Sequence, residues 1–435
     1  MRVCPPSRYG PPMRTSDGAG TLPEPGSPQS SPQSSPAGAT APGPPPRRRR
    51  RRWLLRLGTG LIALLLVVSP WEWSLFRAMT ARGTDSEAAR VAEWVRGQGG
   101  GGLVTWAENV QYRLHPAKVG GTPHPNSPLL ALPSAPPASP VTAPAPTAPT
   151  AKATTHAPGP LSPVNVQPVA SPALPQEGVW QVLARVHGLP AMDVAYLRPD
   201  DVHTSYTTAV VWMNQKLLRT VYHPGTDQPG GGPWSLPSDL TGPRRVGLLA
   251  AYNSAFRLGD AKGGFYDEGR TVAPLRNGAA AMITTTDGRV QVGTWGSDVH
   301  MTPAVASVRQ NLLLIVDQGH VVSSINDNTG QRWGKTISYK AFVWRTGVGV
   351  TRDGSAVFAA GDGLSAATLA ELLQRAGAVR AMELDINPAW TTFIKYNQAA
   401  GPGKTESRLL PDMVPRADRY DTSSTRDFYA VYSRP

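Results

Sequence analysis

The chain has 435 residues, 43 basic and 30 acidic side chains, a net charge of +13 at pH 7 and one cysteine. Its 45 prolines and 44 glycines are far above ordinary use and unevenly spread, so a length that allows two or three domains is not all globular. Residues 1–56 hold ten basic and two acidic side chains, so 13 − 8 leaves about +5 for everything after, which argues against a nucleic-acid-binding role.

Residues 1–46 are rich in Pro, Ser and Gly and nearly devoid of aromatic and branched apolar side chains. Such a segment cannot bury enough surface to offset its ordering entropy, so 1–52 reads as a disordered cytoplasmic tail ending in six arginines. Trp53 follows, then an apolar run over 57–69 that continues through Trp71, Trp73, Leu75 and Phe76. About twenty such residues suffice for a bilayer core of about 30 Å. The tryptophans suit the interfaces and the arginines fix the N-terminus inside, so 53–76 is expected to be a single transmembrane signal-anchor in the cell membrane. No small-x-small cleavage site follows Ser69. The C-terminal part would then lie outside the cell.

Residues 77–118 read as a juxtamembrane helical region, with Val91, Trp94 and Val95 among Glu87, Arg90, Glu93 and Arg96, broken by four glycines at 99–102. It is either a helical hairpin that packs on the membrane or a partner, or a spacer. The glycines are not a phosphate loop, since no strand precedes them and no Lys-Ser/Thr follows. Residues 119–176 form a linker of Pro, Ala and Thr, extended and semi-rigid, of a composition found in glycosylated stalks.

One globular domain is expected over 177–435, ample for a core. It holds no cysteine, because the single one is Cys4, which leaves it no disulfide, thiol nucleophile or cysteine-based zinc site. The fold class is α+β: a strand-rich, mixed-sheet domain with few helices. Strands are expected over 179–186, 193–197, 208–213, 217–222 and 246–252, with Asn214-Gln215 joining two of them as a tight hairpin. A further hairpin runs over 280–292 through Asp287-Gly288, then strands over 311–316 and 342–350 and a closing strand over 427–432. His300 and His320 read as ordinary surface residues.

The most informative stretch is 344–390. Residues 356–360 form an apolar strand and Gly361-Asp362-Gly363 a turn. Ser365 is placed to cap a helix whose apolar face is Leu369, Leu372, Leu373 and Ala376, and Gly377 to end it. In the next strand Met382, Leu384 and Ile386 alternate with Glu383, Asp385 and Asn387, so two carboxylates and an amide share one face about 6–7 Å apart. Glu and Asp are poor strand formers, and a strand fed by a helical crossover usually opens its carboxyl end on a cleft. Arg345, on an apolar strand, carries a fork of donors suited to phosphate.

RTGVGVTRDGSAVF followed by GLSAATLAELLQRAGAVRAMELD resembles the C-terminal half of the phosphodiester glycosidase family. The ending differs: members commonly carry a Gly-rich loop after the strand Asp, and here Asp385 is followed by INPAW, a variant similar to that of membrane-anchored actinobacterial relatives. The resemblance implies hydrolysis of a sugar-1-phosphodiester at its anomeric carbon; in a bacterial envelope the candidate substrates are phosphodiester-linked glycans, and the sequence singles out no cofactor and no metal ligand. The resemblance also implies Glu383 or Asp385 as base or nucleophile and Arg345 as the cation on the leaving phosphate. The segment 248–278 resembles the family's N-G-G-F-F motif, matched either by Asn253 with Phe256 or by Gly263-Gly264-Phe265. Asn253, Gly264 and Asn387 would then hold sugar, with Trp390 as a platform or a core residue. The alternative reading is a non-catalytic envelope glycan-binding or cell-wall interaction protein on the same fold.

Overall fold

The computed structural model describes residues 47–81, 83–131, 163–334, 341–397 and 406–435. The chain divides into two compact units, Met1–Val67 and Val68–Pro435. In the first, the described residues belong to a helix that runs over Arg47–Met79. The tail over 1–46 lies outside the described residues.

The expected membrane crossing is not found: among the described residues no helix is long and apolar enough to cross a membrane. The side chains over 61–68, the most apolar part of the expected span, lie outside the described residues.

The second unit is built on an eight-stranded sheet. From one edge its strands are Gln181–Val186, Leu189–Leu197, Thr208–Met213, Ala356–Leu364, Val343–Thr351, Ala378–Glu383, Leu314–Asp317 and His320–Val321. Period-2 alternation sets which face each side chain takes. Ala209, Val211 and Met213 enter the main core, while Val210 and Trp212 point to the opposite face under the helix Ala366–Arg375. The main-core face meets residues of two five-stranded sheets, among them Tyr252, Phe393 and Tyr429 from one and Phe265 and Met282 from the other. A sheet covered on both faces explains why whole strands are buried.

Ser365 caps the crossover helix, its hydroxyl accepting from Thr368 N at 3.1 Å while Thr368 Oγ1 accepts from Ser365 N at 2.8 Å. Gly377 has φ +92°, the left-handed position that ends the helix without a side-chain penalty. Ala356–Leu364 and Ala378–Glu383 both pair antiparallel with Val343–Thr351, so they run parallel to each other on either side of it and end at the same edge. Gly347 lets the helix approach: a Cβ there would stand 2.9 Å from Leu373 Cδ1.

Three expectations change. Thr208–Met213 and Leu218–His223 form no hairpin; the first pairs within the large sheet and the second with the closing strand Phe428–Ser433. Gly361-Asp362-Gly363 is not a turn but the end of the strand Ala356–Leu364. Both described ends of the 119–176 linker pack on the domain: Gly120 N donates to Val202 O at 2.7 Å, and Val166 N to Gly178 O at 2.8 Å. Leu129 and Val166 are buried there because the adjoining strands leave apolar side chains to cover. Residues 132–162 lie outside the described residues.

Candidate active site

The carboxyl end of the strand Ala378–Glu383 is gripped from both sides. Thr346 N donates to Asp385 O and Leu384 N to Thr346 O, each at 2.8 Å. Asn311 Nδ2 donates to the carbonyls of Glu383 at 2.9 Å and Leu384 at 3.1 Å. Asn253, at the end of the strand Leu248–Asn253, completes the clamp through Thr346 Oγ1 at 2.9 Å. Past that point the loop is shaped by side chains. Asp385 Oδ1 accepts from Ile386 N at 2.8 Å and Asn387 N at 2.9 Å, and Asn387 Oδ1 accepts from Ala389 N at 2.9 Å. Two successive Asx-type turns therefore turn the INPAW segment without glycine.

Asp385 Oδ2 accepts from Arg426 Nη2 at 3.2 Å. Burial raises the Asp385 pKa to about 6, against the lowering pull of Arg426 and of the Ile386 and Asn387 amides. The carboxyl opens on a cavity of about 60 Å³ lined also by Phe256, Arg257 and Trp390 of the domain and by Arg96, Glu108 and Tyr112. A larger void, about 550 Å³, shares Arg96, Glu108, Tyr112, Asn387 and Trp390 with it.

The last three side chains of the cavity come from the region expected to be juxtamembrane. It forms a helical pair, Glu87–Val95 and Gly101–Leu114, joined by the turn Arg96–Gly100 with Gly99 at φ +85°. Arg96 Nη2 meets Glu108 Oε1 at 2.6 Å, although a straight helix would hold residues twelve apart about 18 Å from each other. The pair is docked by charge: Glu93 Oε2 lies 3.0 Å from Arg257 Nη1, Asn387 Nδ2 donates to Glu108 Oε1 at 3.1 Å, and Asp85 Oδ1 lies 3.1 Å from Arg419 Nη1. Three guanidinium groups, Arg96, Arg257 and Arg426, thus border one cavity with Asp385 and Glu108.

Of the residues singled out in the sequence, the fold brings Asp385, Asn387 and Trp390 to this cavity. Asn253 lies one layer behind, bordering a smaller recess with Asp385 and Arg426. Arg345 and Glu383 are elsewhere: both are fully buried and form an ion pair with each other. Arg345 also donates to Leu364 O at 2.8 Å and Ala341 O at 3.2 Å, and burial raises the Glu383 pKa despite that partner. Gly264 packs against backbone, where a Cβ would fall 2.2 Å from Pro274 O. Trp390 is no open platform, since the guanidinium carbons of Arg419 and Arg426 each stand 5.0 Å from its ring centroid. Sequence reasoning missed Arg426, Arg257 and Glu108. The run of basic and acidic residues from 84 to 113 was a signal, but a solvated helix shows the same pattern. Among the described residues no group of three His, Cys, Asp or Glu is placed to hold a metal ion.

Residues 247–413 match the family model for phosphodiester glycosidase. The chain carries a phosphodiester glycosidase domain. Arg96, Glu108 and Arg426 of the cleft lie outside the residues matched to that domain. Among solved structures, the zebrafish N-acetylglucosamine-1-phosphodiester alpha-N-acetylglucosaminidase catalytic domain, auto-inhibited by its pro-peptide, is similar at 15% identity and a TM-score of 0.39, over 59% of this chain and 88% of that one. A hypothetical protein from Synechocystis is similar at 14% identity and a TM-score of 0.32, over 57% and 63% of the two chains. An exported protein of Burkholderia pseudomallei is similar at 12% identity and a TM-score of 0.26, over 53% and 74%. Comparison with curated protein sequences finds no match.

Proposed function

We propose that the protein hydrolyses a sugar-1-phosphodiester in the cleft at Asp385, releasing a free sugar and a phosphomonoester. The observation that carries this reading is a buried carboxylate and three guanidinium groups on one cavity of a phosphodiester glycosidase domain. The water oxygen bonds to the anomeric carbon as the carbon–oxygen bond to phosphate breaks, and that electron pair leaves with the phosphate. The water proton passes to a carboxylate of the cleft. Phosphate is already a good leaving group, so the demand falls on charge: fixed cations on the departing oxygens and a fixed anion beside the anomeric carbon. Arg96, Arg257 and Arg426 meet the first demand, and Asp385 meets the second. This moves the phosphate role from Arg345, which is fully buried away from the cavity, to the three cleft arginines that border it.

The substrate class proposed is a phosphodiester-linked sugar of cell-envelope glycans, with the basic N-terminal helix at the membrane. The six arginines before Trp53 and the cysteine-free remainder of the chain support that location. Fractionation of cells that express the tagged chain tests it. The activity is tested with the full chain and Asp385→Asn on a panel of hexose and N-acetylhexosamine 1-phosphodiesters. Turnover by the wild type and its loss by about 100-fold or more in the variant are expected. Glycan binding retained by both proteins without turnover would replace hydrolysis with the glycan-binding reading.

A further inference from the structure

We propose that the helical pair Glu87–Leu114 is a working part of the active site and that Glu108 is the carboxylate that takes the proton from the attacking water. This rests on the hydrolytic reading above. Three observations carry it.

The first is the hydrogen-bond state of the two cleft carboxylates. Asp385 has both oxygens engaged: Oδ1 by two backbone amides and Oδ2 by Arg426. Held at both oxygens, this carboxylate is positioned as an anion beside the cavity and is not aimed at a water. Glu108 is held by one oxygen only. Its Oε1 accepts from Arg96 Nη2 at 2.6 Å and Asn387 Nδ2 at 3.1 Å. Its Oε2 is buried and has no hydrogen-bond partner. A buried carboxylate oxygen without a donor is costly unless a ligand or a water supplies one.

The second is the bridge between them. Asn387 donates from its backbone to Asp385 and from its side chain to Glu108, so one residue sets the spacing of both carboxyl groups. The third is the space. The helical pair does not fill the cleft but stands over it, leaving the void of about 550 Å³ walled on one side by Ala88, Ala92, Val104 and Ala107 and on the other by Phe342, Trp344 and Asp362. Small side chains along the inner wall leave room at the point where Glu108 reaches toward Asn387.

The division of labour follows. Asp385 offsets positive charge on the anomeric carbon, Arg426 and its neighbours receive the phosphate, and Glu108 Oε2 accepts the water proton and returns it to solvent.

The experiment uses the full chain. Glu108→Gln keeps the shape and the Arg96 contact but removes the proton acceptor. It should lower kcat by about 100-fold or more, with KM and Tm little changed. Glu108→Ala should be similarly slow and regain part of its rate in molar sodium formate or azide, which a structural role would not produce. Turnover by Glu108→Gln within about threefold of wild type or faster, or a loss in Glu108→Ala that neither anion restores, would overturn the proposal alone. A wild type that turns over no member of the panel overturns it together with the reading it rests on.

Discussion

Arg345→Met tests whether the Arg345–Glu383 pair is architecture or chemistry. Neither side chain is exposed to solvent, and the guanidinium also serves the carbonyls of Leu364 and Ala341. Methionine fills much of the volume but leaves Glu383 without a counter-charge and two carbonyls without donors. Removing one partner of a buried pair costs about 3–5 kcal/mol, which in a domain of this size lowers Tm by about 6–20 °C. Replacing both partners, Arg345→Met with Glu383→Leu, removes the stranded charge and should recover most of that loss. Differential scanning calorimetry of the two single variants and the double closes the cycle. A single variant that melts within about 2 °C of wild type yet loses turnover would refute the reasoning and return Arg345 to the phosphate.

Other outcomes follow from the same structure. Since Asp385 acts ionised and burial raises its pKa to about 6, kcat/KM should fall tenfold per pH unit below about pH 6 in a pH–rate profile. The same shift makes the folded chain hold a proton that the unfolded chain, at an ordinary 3.8, releases; stability should therefore fall as pH rises from about 4 to about 6, and Asp385→Asn should flatten that slope in urea titrations. Gly264→Ala should destabilise by about 1–3 kcal/mol through the Pro274 carbonyl while leaving KM of the folded fraction unchanged. Ser365→Ala should cost about 1 kcal/mol by thermal melting, because it removes the cap of the crossover helix.

The crossover unit was legible because each of its signals is local. A serine before an amphipathic run, a glycine after it and alternation beyond it are fixed by the backbone within a few residues. The alternation also brought out Asp385. What it could not show is which carboxylate faces a cleft. Glu383 and Asp385 share strand parity, yet Glu383 is in register with Gly347 inside the sheet, while Asp385 lies just beyond the strand's end, where the chain turns outward. Sheet assignment was likewise hidden. Asn214-Gln215 has the look of a hairpin, but Leu218 and Tyr222 reach the main core from the sheet of Phe428–Ser433, more than 200 residues away in sequence. Arg426 and Glu108 lie on either side of the motif region, and only long-range pairing brings them to Asp385.

The helical pair ends at Leu114, and six residues further on Gly120 N already donates to Val202 O. A tether that short holds its ends at an effective concentration of about millimolar or more. The pair therefore needs little intrinsic affinity to stay seated, and a free peptide of the same sequence would compete poorly for the seat. It also separates two kinds of change. Substitutions on the inner face of a 28-residue module, Glu87 to Leu114, reshape the void of about 550 Å³ beside the cleft. The strand end that carries Asp385 is untouched by them, so what the cleft admits and how it reacts are free to diverge independently.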